Sequence, residues 1–267
     1  MIAGILNLDK PAGLTSFAVV ARVRRLTGVR RVGHAGTLDP LATGVLLVCI
    51  GQATRVISYL QEAAKVYLAD VRLGQRTDTF DSEGVVIQET EIPDTLDLSP
   101  FVGEIWQTPP QYSALKHEGR PLYAYARKGI EVDIARRRVR IDRIEVVDWQ
   151  PPMARIRVWC GKGTYIRSLA NDLGGHLTGL RREAVGTFAV TEALPLDRLE
   201  AWDNYMMPIS AALAHLSAVK VNEVQAARLR NGLAIDAGEG ECLALDEDQT
   251  EVAILRDGRP KVVFGVR

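Results

Sequence analysis

The sequence predicts a protein of mixed helices and strands, in which a large N-terminal domain is followed by a small, mostly β C-terminal domain. Its 267 residues suffice for this arrangement, at roughly 100 to 200 residues per domain. Short apolar runs bounded by glycine, such as residues 45–50, predict buried strands, whereas spacings of three and four residues predict helices. The composition shifts at residues 208–217, which predicts a linker.

The composition is typical of an ordinary soluble globular protein, with 47% hydrophobic and 25% charged residues. The opening apolar run is interrupted by Asn7 and Asp9, so we expect neither a signal peptide nor a membrane span. Cys49, Cys160 and Cys242 are odd in number and far apart, and the histidines lack ligand spacing. We therefore expect a reducing cytoplasm, buried thiols and no metal.

The elements of the N-terminal domain follow from hydrophobic periodicity and from capping residues. Thr15 or Ser16 is the predicted N-cap of the first helix, in which Phe17, Val20 and Val23 share one face. After an opening strand, the predicted elements are a helix at 16–26, a strand at 45–50, a helix at 54–62, strands at 65–73 and 155–160, a helix capped by Thr164, and a turn and strand at 181–188.

The C-terminal elements follow the predicted linker. Residues 221–229 predict a short helix, and three strands are predicted at 241–245, 251–255 and 261–266. The dipeptide Asp257-Gly258 is typical of the two-residue turn that joins paired antiparallel strands. This part is roughly 50 residues long, a size that usually leans on a larger domain.

Asp39 lies in a loop, because the glycines and proline around it exclude regular structure. Gly33 and Gly36 permit unusual backbone angles, and Pro40 disfavours the helical region for Asp39. Between residues 11 and 60, Asp39 is the only acidic residue, against six arginines. Nearby cations favour the ionised carboxylate that a nucleophile or electrostatic catalyst requires. A turn carboxylate that accepts hydrogen bonds from backbone amides is the alternative.

Arg167 is unusual because it lies in the first turn of a predicted helix. The helix dipole disfavours a cation at that position. A cation in this unfavourable position indicates a compensating partner elsewhere in the fold. The carboxylate of Asp39 would be such a partner.

Charge is unevenly distributed along the chain, although the formal net charge is zero. Residues 116–140 contain eight basic and three acidic residues, whereas residues 236–251 contain seven acidic residues and no basic one. Tyr123 and Tyr125 lie among the cations, a combination that suits RNA because aromatic faces stack on bases. A solvated surface or an exposed structural hairpin is the alternative.

Five segments of the chain resemble the bacterial tRNA pseudouridine-55 synthases, the TruB family of pseudouridine synthases. They occur in the family's order and span most of residues 1–190. The chain departs from the family at Glu183 and Ala184, where relatives often carry Thr-Arg. The matching segments are KPAGLTS (10–16), GHAGTLDPLATGVL (33–46), RLGQRTDTFDSEG (72–84), PPQYSALKHEGRPLYAYARKG (109–129) and KGTYIRSLANDLG (162–174).

This resemblance implies an α+β pseudouridine-synthase fold with a central mixed sheet. Residues 1–212 would form the catalytic domain, and residues from about 109 to 138 would form a thumb-like insertion that binds RNA. Residues 217–267 would form a small, mostly β domain that is similar to PUA-type RNA-binding domains.

The resemblance also implies roles for six residues. Asp39 aligns with the catalytic aspartate, and Arg167 aligns with the arginine that pairs with it. From the residues alone, Tyr67 also fits a core position and His34 also fits a core histidine satisfied by hydrogen bonds. The implied substrate-binding residues are Tyr67, which stacks on the target base, Tyr165, another active-site aromatic, His34, which helps to hold the flipped T loop, and Lys10, a family lysine.

The implied activity is the isomerisation of uridine to pseudouridine at position 55 in the T loop of tRNA. Asp39 would act on a flipped-out base, at C1′, at C6 or on a sugar proton, without a cofactor or a metal. The expected partner is the T arm of tRNA, with no membrane and no obligate protein partner, and the protein would be a cytoplasmic monomer. The alternatives are an RNA-binding or tRNA-folding module without essential catalysis, and the same chemistry at another RNA site.

Overall fold

The structure is a computed structural model that describes residues 2–265. The fold consists of short helices packed around strands. In chain order, the strands are β1 (Gly4–Lys10), β2 (Val32–His34), β3 (Thr43–Ile50), β4 (Lys65–Leu73), β5 (Gln75–Thr77), β6 (Val86–Glu89), β7 (Gly103–Gln107), β8 (Lys116–His117), β9 (Arg120–Pro121), β10 (Arg137–Gln150), β11 (Met153–Cys160), β12 (Gly175–Val185), β13 (Phe188–Ala189), β14 (Leu194–Pro195), β15 (Ser217–Lys220), β16 (Glu241–Leu245), β17 (Glu251–Arg256) and β18 (Arg259–Val263). The α-helices are α1 (Ser16–Thr27), α2 (Ile57–Glu62), α3 (Leu122–Ala126), α4 (Ile166–Asp172) and α5 (Glu223–Arg230). Turns of 3₁₀ helix lie at Gly51–Val56, Ser99–Phe101, Val190–Glu192, Leu196–Tyr205 and Ile209–Leu213.

A mixed sheet, ten-stranded when counted over residues 2–265, forms the centre of the N-terminal part. Eight strands lie in the order β14, β1, β3, β12, β4, β11, β10, β7, with β2 beside β3 and β13 beside β12. The β1–β14 and β3–β12 pairs are parallel, and the remaining pairs are antiparallel. The predicted α+β fold with a central mixed sheet is therefore confirmed.

Strand β3 is covered on both faces. This accounts for the uninterrupted apolar run at residues 45–50, since a strand buried on both sides needs no polar face. Val45 and Leu47 pack in one hydrophobic cluster with Val56. Leu46 and Val48 point the other way, into a second cluster that contains the valines of α1. A strand buried on both faces holds the loop before it in a fixed position.

Strand β12 lies between β3 and β4, although it follows both in the sequence. Arg182 of β12 is opposite Gly44 of β3 on one side and opposite Tyr67 of β4 on the other. Residues 35–42, which we call the Asp39 loop, lead directly into β3. The order of the strands therefore brings this loop, Tyr67 and Arg182 to one place.

Helix α1 begins where its sequence predicts. The Thr15 side chain is the N-cap and accepts a 3.1 Å hydrogen bond from the backbone N–H of Ala18. The helix ends at Gly28, which adopts the left-handed conformation with φ 68°. The grouping of Phe17 with the buried valines is wrong, because its side chain is 69% exposed and the first turn of α1 borders a cavity instead of the sheet.

The basic segment at residues 109–136 is an insertion between β7 and β10. It contains the short β8–β9 hairpin and the single turn α3, in which Leu122 is buried. Tyr123 and Arg127 form a cation–π contact, with the guanidinium 5.5 Å from the ring centre. The segment is thus a small folded unit of its own, and we call it the insertion.

The C-terminal part is a four-stranded sheet, in the order β15, β16, β17, β18 over the described residues, with α5 packed against it. Asn222 and Gln225 form a capping box, so α5 starts two residues later than predicted. Asp257 and Gly258 have φ 51° and 72°, which confirms the predicted hairpin turn. The end of the third predicted strand, at residue 266, lies outside the described residues.

Two predictions about helix boundaries are wrong. Thr164 does not cap α4, because its hydroxyl donates to the Gly161 carbonyl at 3.2 Å and the N-cap position is Tyr165. The helix predicted at residues 54–62 is a 3₁₀ turn at Gly51–Val56 followed by α2. Within residues 2–265, no helix is long and apolar enough to cross a membrane.

Candidate active site

The Asp39 loop is held on both sides by its neighbours. The buried Ser16 hydroxyl accepts a hydrogen bond from Leu38 N at 2.8 Å and donates to Leu38 O at 3.1 Å. Gly44, at φ +99°, ends the loop, and a Cβ added there would lie only 2.2 Å from the Arg182 carbonyl oxygen. Asp39 is therefore presented from a fixed backbone, with its side chain about one third exposed.

Arg167 lies beside Asp39, although 128 residues of sequence separate them. Its Nε is 2.9 Å from Asp39 Oδ2, and its side chain is only 5% exposed. The Nη1 atom donates to Thr79 O at 3.1 Å, and the Nη2 atom donates to Tyr112 O at 2.7 Å. The ion pair that the sequence suggested is thus present, and the guanidinium is fixed by partners from three segments.

Asp81 is a second carboxylate at the same guanidinium, and sequence reasoning missed it. Its Oδ2 lies 3.4 Å from Arg167 Nη1, and its side chain is 5% exposed. Its Oδ1 accepts hydrogen bonds from Thr79 Oγ1 at 2.6 Å and from Glu83 N at 3.1 Å. The only signal was its place in the segment RTDTFDSEG, which gave no indication that the side chain was buried.

The pKa of Asp39 departs from the sequence-based expectation. Burial raises the pKa of this carboxyl above its ordinary value of 3.8, and the charges of Arg167 and Lys10 oppose the rise while Asp81 adds to it. We had expected cations alone to keep this pKa low. The pKa of Asp39 is raised instead, because the loop is partly desolvated and Asp81 shares the guanidinium of Arg167.

Lys10 is fully buried at the end of β1. Its Nζ donates to Leu14 O at 2.7 Å, to Pro11 O at 2.9 Å and to Pro40 O at 3.4 Å. Burial lowers the pKa of Lys10 to about 8, with Asp39 opposing this change. Lys10 therefore ties the turn after β1 to the Asp39 loop and places a cation close to the carboxylate.

Tyr67 and Tyr165 line a cavity of about 690 Å³ that also contains Asp39 and Arg167. Tyr67 is partly exposed to it, so this side chain is not simply a core residue. Burial raises the pKa of the Tyr67 hydroxyl, and Arg182 opposes the rise. A cavity with an aromatic side chain beside a carboxylate is suited to a planar ring.

Tyr165 is held in place by a residue that the sequence did not single out. Gln107, 1% exposed at the end of β7, accepts a hydrogen bond from Tyr165 N at 3.1 Å and donates to Tyr165 O at 3.3 Å. This pair of bonds connects the edge strand to the start of α4. It replaces the capping bond that we had expected from Thr164.

His34 lies in a second cavity, of about 540 Å³, that shares Asp39 and Arg167 with the first. Phe17 and Arg127 line the same space. Among the described residues, His34 Nδ1 is buried without a hydrogen-bond partner, so the interpretation as a satisfied core histidine is wrong. Burial lowers the pKa of His34, with Arg182 adding to the effect.

The structure brings all six residues predicted for the site to these two cavities or to the loop between them. Tyr67 and Tyr165 line the larger cavity, and His34 lines the smaller one. In the part of the chain that the structure describes, no group of three His, Cys, Asp or Glu residues could hold a metal ion. Cys49, Cys160 and Cys242 are free and buried.

Comparison with known proteins identifies the class and then the family. Residues 24–166 match the family model described as TruB family pseudouridylate synthase, N-terminal domain, so the chain falls in the class of pseudouridylate synthases. A relative from Dehalococcoides mccartyi, named tRNA pseudouridine synthase B, is 46% identical over 87% of this chain and 83% of its own length. One from Aromatoleum aromaticum with the same name is 44% identical, covering 92% and 89%. The chain belongs to the TruB family, which confirms the resemblance.

Solved structures agree with this assignment. The crystal structure of a Cbf5-Nop10-Gar1 complex contains a chain that is similar to this one with a TM-score of 0.71 at 25% identity. The match covers 99% of this chain and 84% of the other. A structure of an H/ACA RNP bound to a substrate RNA containing 2'-deoxyuridine gives a TM-score of 0.69 at 25% identity, covering 94% and 77%. The likeness extends over both the central sheet and the C-terminal part.

Proposed function

We propose that this protein isomerises uridine to pseudouridine at position 55 in the T loop of tRNA, with Asp39 as the nucleophile. The single observation that carries the proposal is the Asp39–Arg167 ion pair, 2.9 Å long, between two cavities of the size of nucleotides. Membership of the TruB family and the names of the relatives support the reaction and the substrate.

The reaction requires a base that has left its stack and a group that acts on the nucleotide. The N1–C1′ bond breaks, the uracil turns and C5 bonds to C1′. The C5 hydrogen leaves to solvent as a proton and N1 takes up a proton from solvent, so no oxidant or reductant is needed. Tyr67 would stack on the uracil in the larger cavity and offset part of an unstacking cost of a few kcal/mol. Asp39 lies at the mouth shared by both cavities, where the ribose would enter.

Arg167 would keep Asp39 correctly oriented and ionised when the substrate excludes water. Its Nη1 and Nη2 atoms donate to the carbonyls of Thr79 and Tyr112, while its Nε faces Asp39. The pair is therefore preorganised, so little reorganisation is needed during the reaction. No step of this scheme calls for a metal or a cofactor.

The insertion would bind the T arm, because its cations lie beside the smaller cavity. Tyr123 and Arg127 line that cavity together with His34, which would hold the flipped loop. The remaining cations of the insertion suit a phosphate backbone. We propose that the thumb comprises residues 109–138, so it includes Arg137 and Arg138, the first two residues of β10.

We also propose that residues 1–212 form the catalytic domain and residues 217–267 a PUA-like domain. The separate four-stranded sheet of β15–β18 and its own hydrophobic cluster support this division. We propose a cytoplasmic monomer without an obligate protein partner. Three free, buried cysteines are consistent with a reducing compartment.

The test is tritium release from a tRNA transcript labelled at C5 of uridine, with enzyme in excess. We expect Asp39→Asn to reduce the rate by more than about 1,000-fold without loss of tRNA binding, because it removes the nucleophile but keeps the shape. Asp78→Asn is the matched control, since Asp78 is an exposed aspartate of the neighbouring loop and should leave the rate unchanged. Release by Asp39→Asn at the wild-type rate would contradict the proposal.

A further inference from the structure

Arg182 is a buried cation without a carboxylate partner in the part of the chain that the structure describes. It is 2% exposed, and among residues 2–265 no ion pair involves it. Its neighbours on β12 are both paired, Arg181 with Asp9 at 2.8 Å and Glu183 with Arg157 at 2.8 Å. Burying an unpaired guanidinium is costly, so its presence beside the larger cavity calls for an explanation.

The guanidinium of Arg182 holds both ends of the Asp39 loop. Its Nη2 donates to Gly36 O at 3.1 Å and its Nη1 donates to Thr37 O at 3.3 Å, three and two residues before Asp39. Its Nε donates to Val45 O at 2.7 Å, beyond the end of the loop. One planar group thus fixes the backbone on either side of the carboxylate.

The same guanidinium faces Tyr67 across the sheet. Arg182 and Tyr67 are opposite each other in the β12–β4 pair, so their side chains share one face, and both line the larger cavity. Three carbonyls use three of the five N–H donors of the guanidinium, which leaves two. The charge of Arg182 also opposes the rise that burial causes in the pKa of the Tyr67 hydroxyl.

We propose that Arg182 is a positioning residue, which fixes the Asp39 loop relative to Tyr67 and so sets the distance between the nucleophile and the stacked base. The inference rests on the proposed function, because it assigns Tyr67 to the uracil and Asp39 to the ribose of the bound uridine. Arginine suits this role because its rigid fork can hold several acceptors at fixed angles, whereas lysine offers a single flexible point. An error of about 1 Å in such a distance can cost about 100-fold in rate.

The experiment compares Arg182→Met and Arg182→Lys with the wild type, using the full chain. It measures the single-turnover rate of tritium release at saturating enzyme and, separately, the Kd for the same tRNA. Circular dichroism and urea unfolding establish that each variant is folded. Arg157→Met is the control, because it removes the partly exposed partner of a β12 ion pair on the opposite face of the sheet.

We expect Arg182→Met to lose about 100-fold in rate with a Kd within about threefold of wild type. Arg182→Lys should recover part of the rate but stay at least about tenfold below wild type, because it keeps the charge and lacks the fork. If Arg182→Met does not fold, the test rests on Arg182→Lys, whose rate should be at least about tenfold below wild type with a Kd within about threefold of wild type. A folded Arg182→Lys protein with the wild-type rate, or a loss that lies entirely in Kd, would overturn the inference.

The two proposals fail in different ways in this assay. If the wild type releases no tritium, the proposed function is wrong. If the wild type and Arg157→Met are active and the Arg182 variants match them, only the role of Arg182 is wrong. A purely structural role for Arg182 would lower the free energy of unfolding without changing the rate of the folded protein.

Discussion

At the scale of single residues, two carboxylates share one guanidinium at the centre of the site. Asp39 and Asp81 lie 2.9 Å and 3.4 Å from the nitrogens of Arg167. Asp81 is the more deeply buried and is fixed by Thr79, so it anchors the arginine while Asp39 faces the cavities. The same proximity means that Asp81 affects the ionisation of Asp39.

The acid limb of the pH–rate profile tests this coupling. Burial raises the pKa of Asp39 above 3.8, and an ionised nucleophile is needed, so the rate should fall with decreasing pH at a higher pH than for an ordinary aspartate. Asp81→Asn removes a neighbouring negative charge, which lowers the pKa of Asp39 and should move this limb to lower pH. The measurement is the single-turnover rate at each pH, with Asp78→Asn as control. An acid limb that stays in place or moves upwards would contradict the coupling.

Lys10 should contribute to stability through its three carbonyl partners. Lys10→Met keeps the length of the side chain but removes the fully buried donor of these three hydrogen bonds, which should lower the free energy of unfolding by about 2 to 4 kcal/mol. Urea unfolding measures the change. Lys162→Met is the control, because the ion pair of Lys162 with Glu62 is solvent-exposed, and it should stay within about 0.5 kcal/mol of wild type. Equal effects in the two variants would argue against the role of Lys10.

The Asp39–Arg167 pair could be suggested from sequence because each residue breaks a local rule. Asp39 is a lone carboxylate among arginines, and Arg167 is a cation at a helix N-terminus. Asp81, Gln107 and Arg182 gave no such signal. Their roles depend on partners far away in the chain, as for Arg182 and Val45, which are 137 positions apart.

At the scale of elements, the strands with a clear hydrophobic pattern were predicted from the sequence, and the strands without such a pattern were not. The strand predicted at residues 65–73 coincides with β4, since its alternation is clear. Only the end of β12 was predicted, because its sequence GHLTGLRREAV mixes glycine and charged residues. This central strand is partly buried, and two of its charged residues, Arg181 and Glu183, form ion pairs with distant residues, which hydrophobic periodicity cannot detect.

The insertion should contribute to binding more than to the chemical step. Replacing Arg127 and Lys128 by alanine removes a cation that lines the smaller cavity and its exposed neighbour. It should weaken tRNA binding, while the rate at saturating enzyme stays within about threefold. The slope of log K against log salt should fall by roughly 1 to 2 in magnitude, because fewer counterions are released.

Titration of labelled tRNA at several salt concentrations measures both quantities in that experiment. Arg140→Ala is the matched control, since Arg140 lies on β10 and its charge is already paired with Asp142 at 2.6 Å. An unchanged salt slope in the Arg127 and Lys128 variant would show that the insertion does not contact phosphates.

At the scale of the whole molecule, the two parts of the chain share a hydrophobic core. Ile254 and Phe264 of the C-terminal part belong to the same cluster as Val56 and Leu60 of the N-terminal part. The sequence indicated a small appendage but not this contact, because a composition shift locates a boundary without showing what packs across it. The acidic C-terminal sheet is therefore fixed relative to the site.

The two cavities are formed jointly by segments throughout residues 15–182. They meet at Asp39 and Arg167, and both are lined by aromatic side chains and by residues of the insertion. This arrangement suits a nucleotide turned out of an RNA loop, with its base in one cavity and the neighbouring chain along the other. The central claim is that the turned-out nucleotide is one particular uridine.

The most direct measurement is the analysis of tRNA transcripts treated with wild-type protein, in which position 55 is either uridine or cytidine. Tritium release and mapping of modified nucleosides are followed on both. We predict one pseudouridine per molecule, at position 55, and neither release nor pseudouridine when cytidine replaces that uridine. Equal tritium release from both transcripts, or pseudouridine at another position, would contradict the assignment of the site.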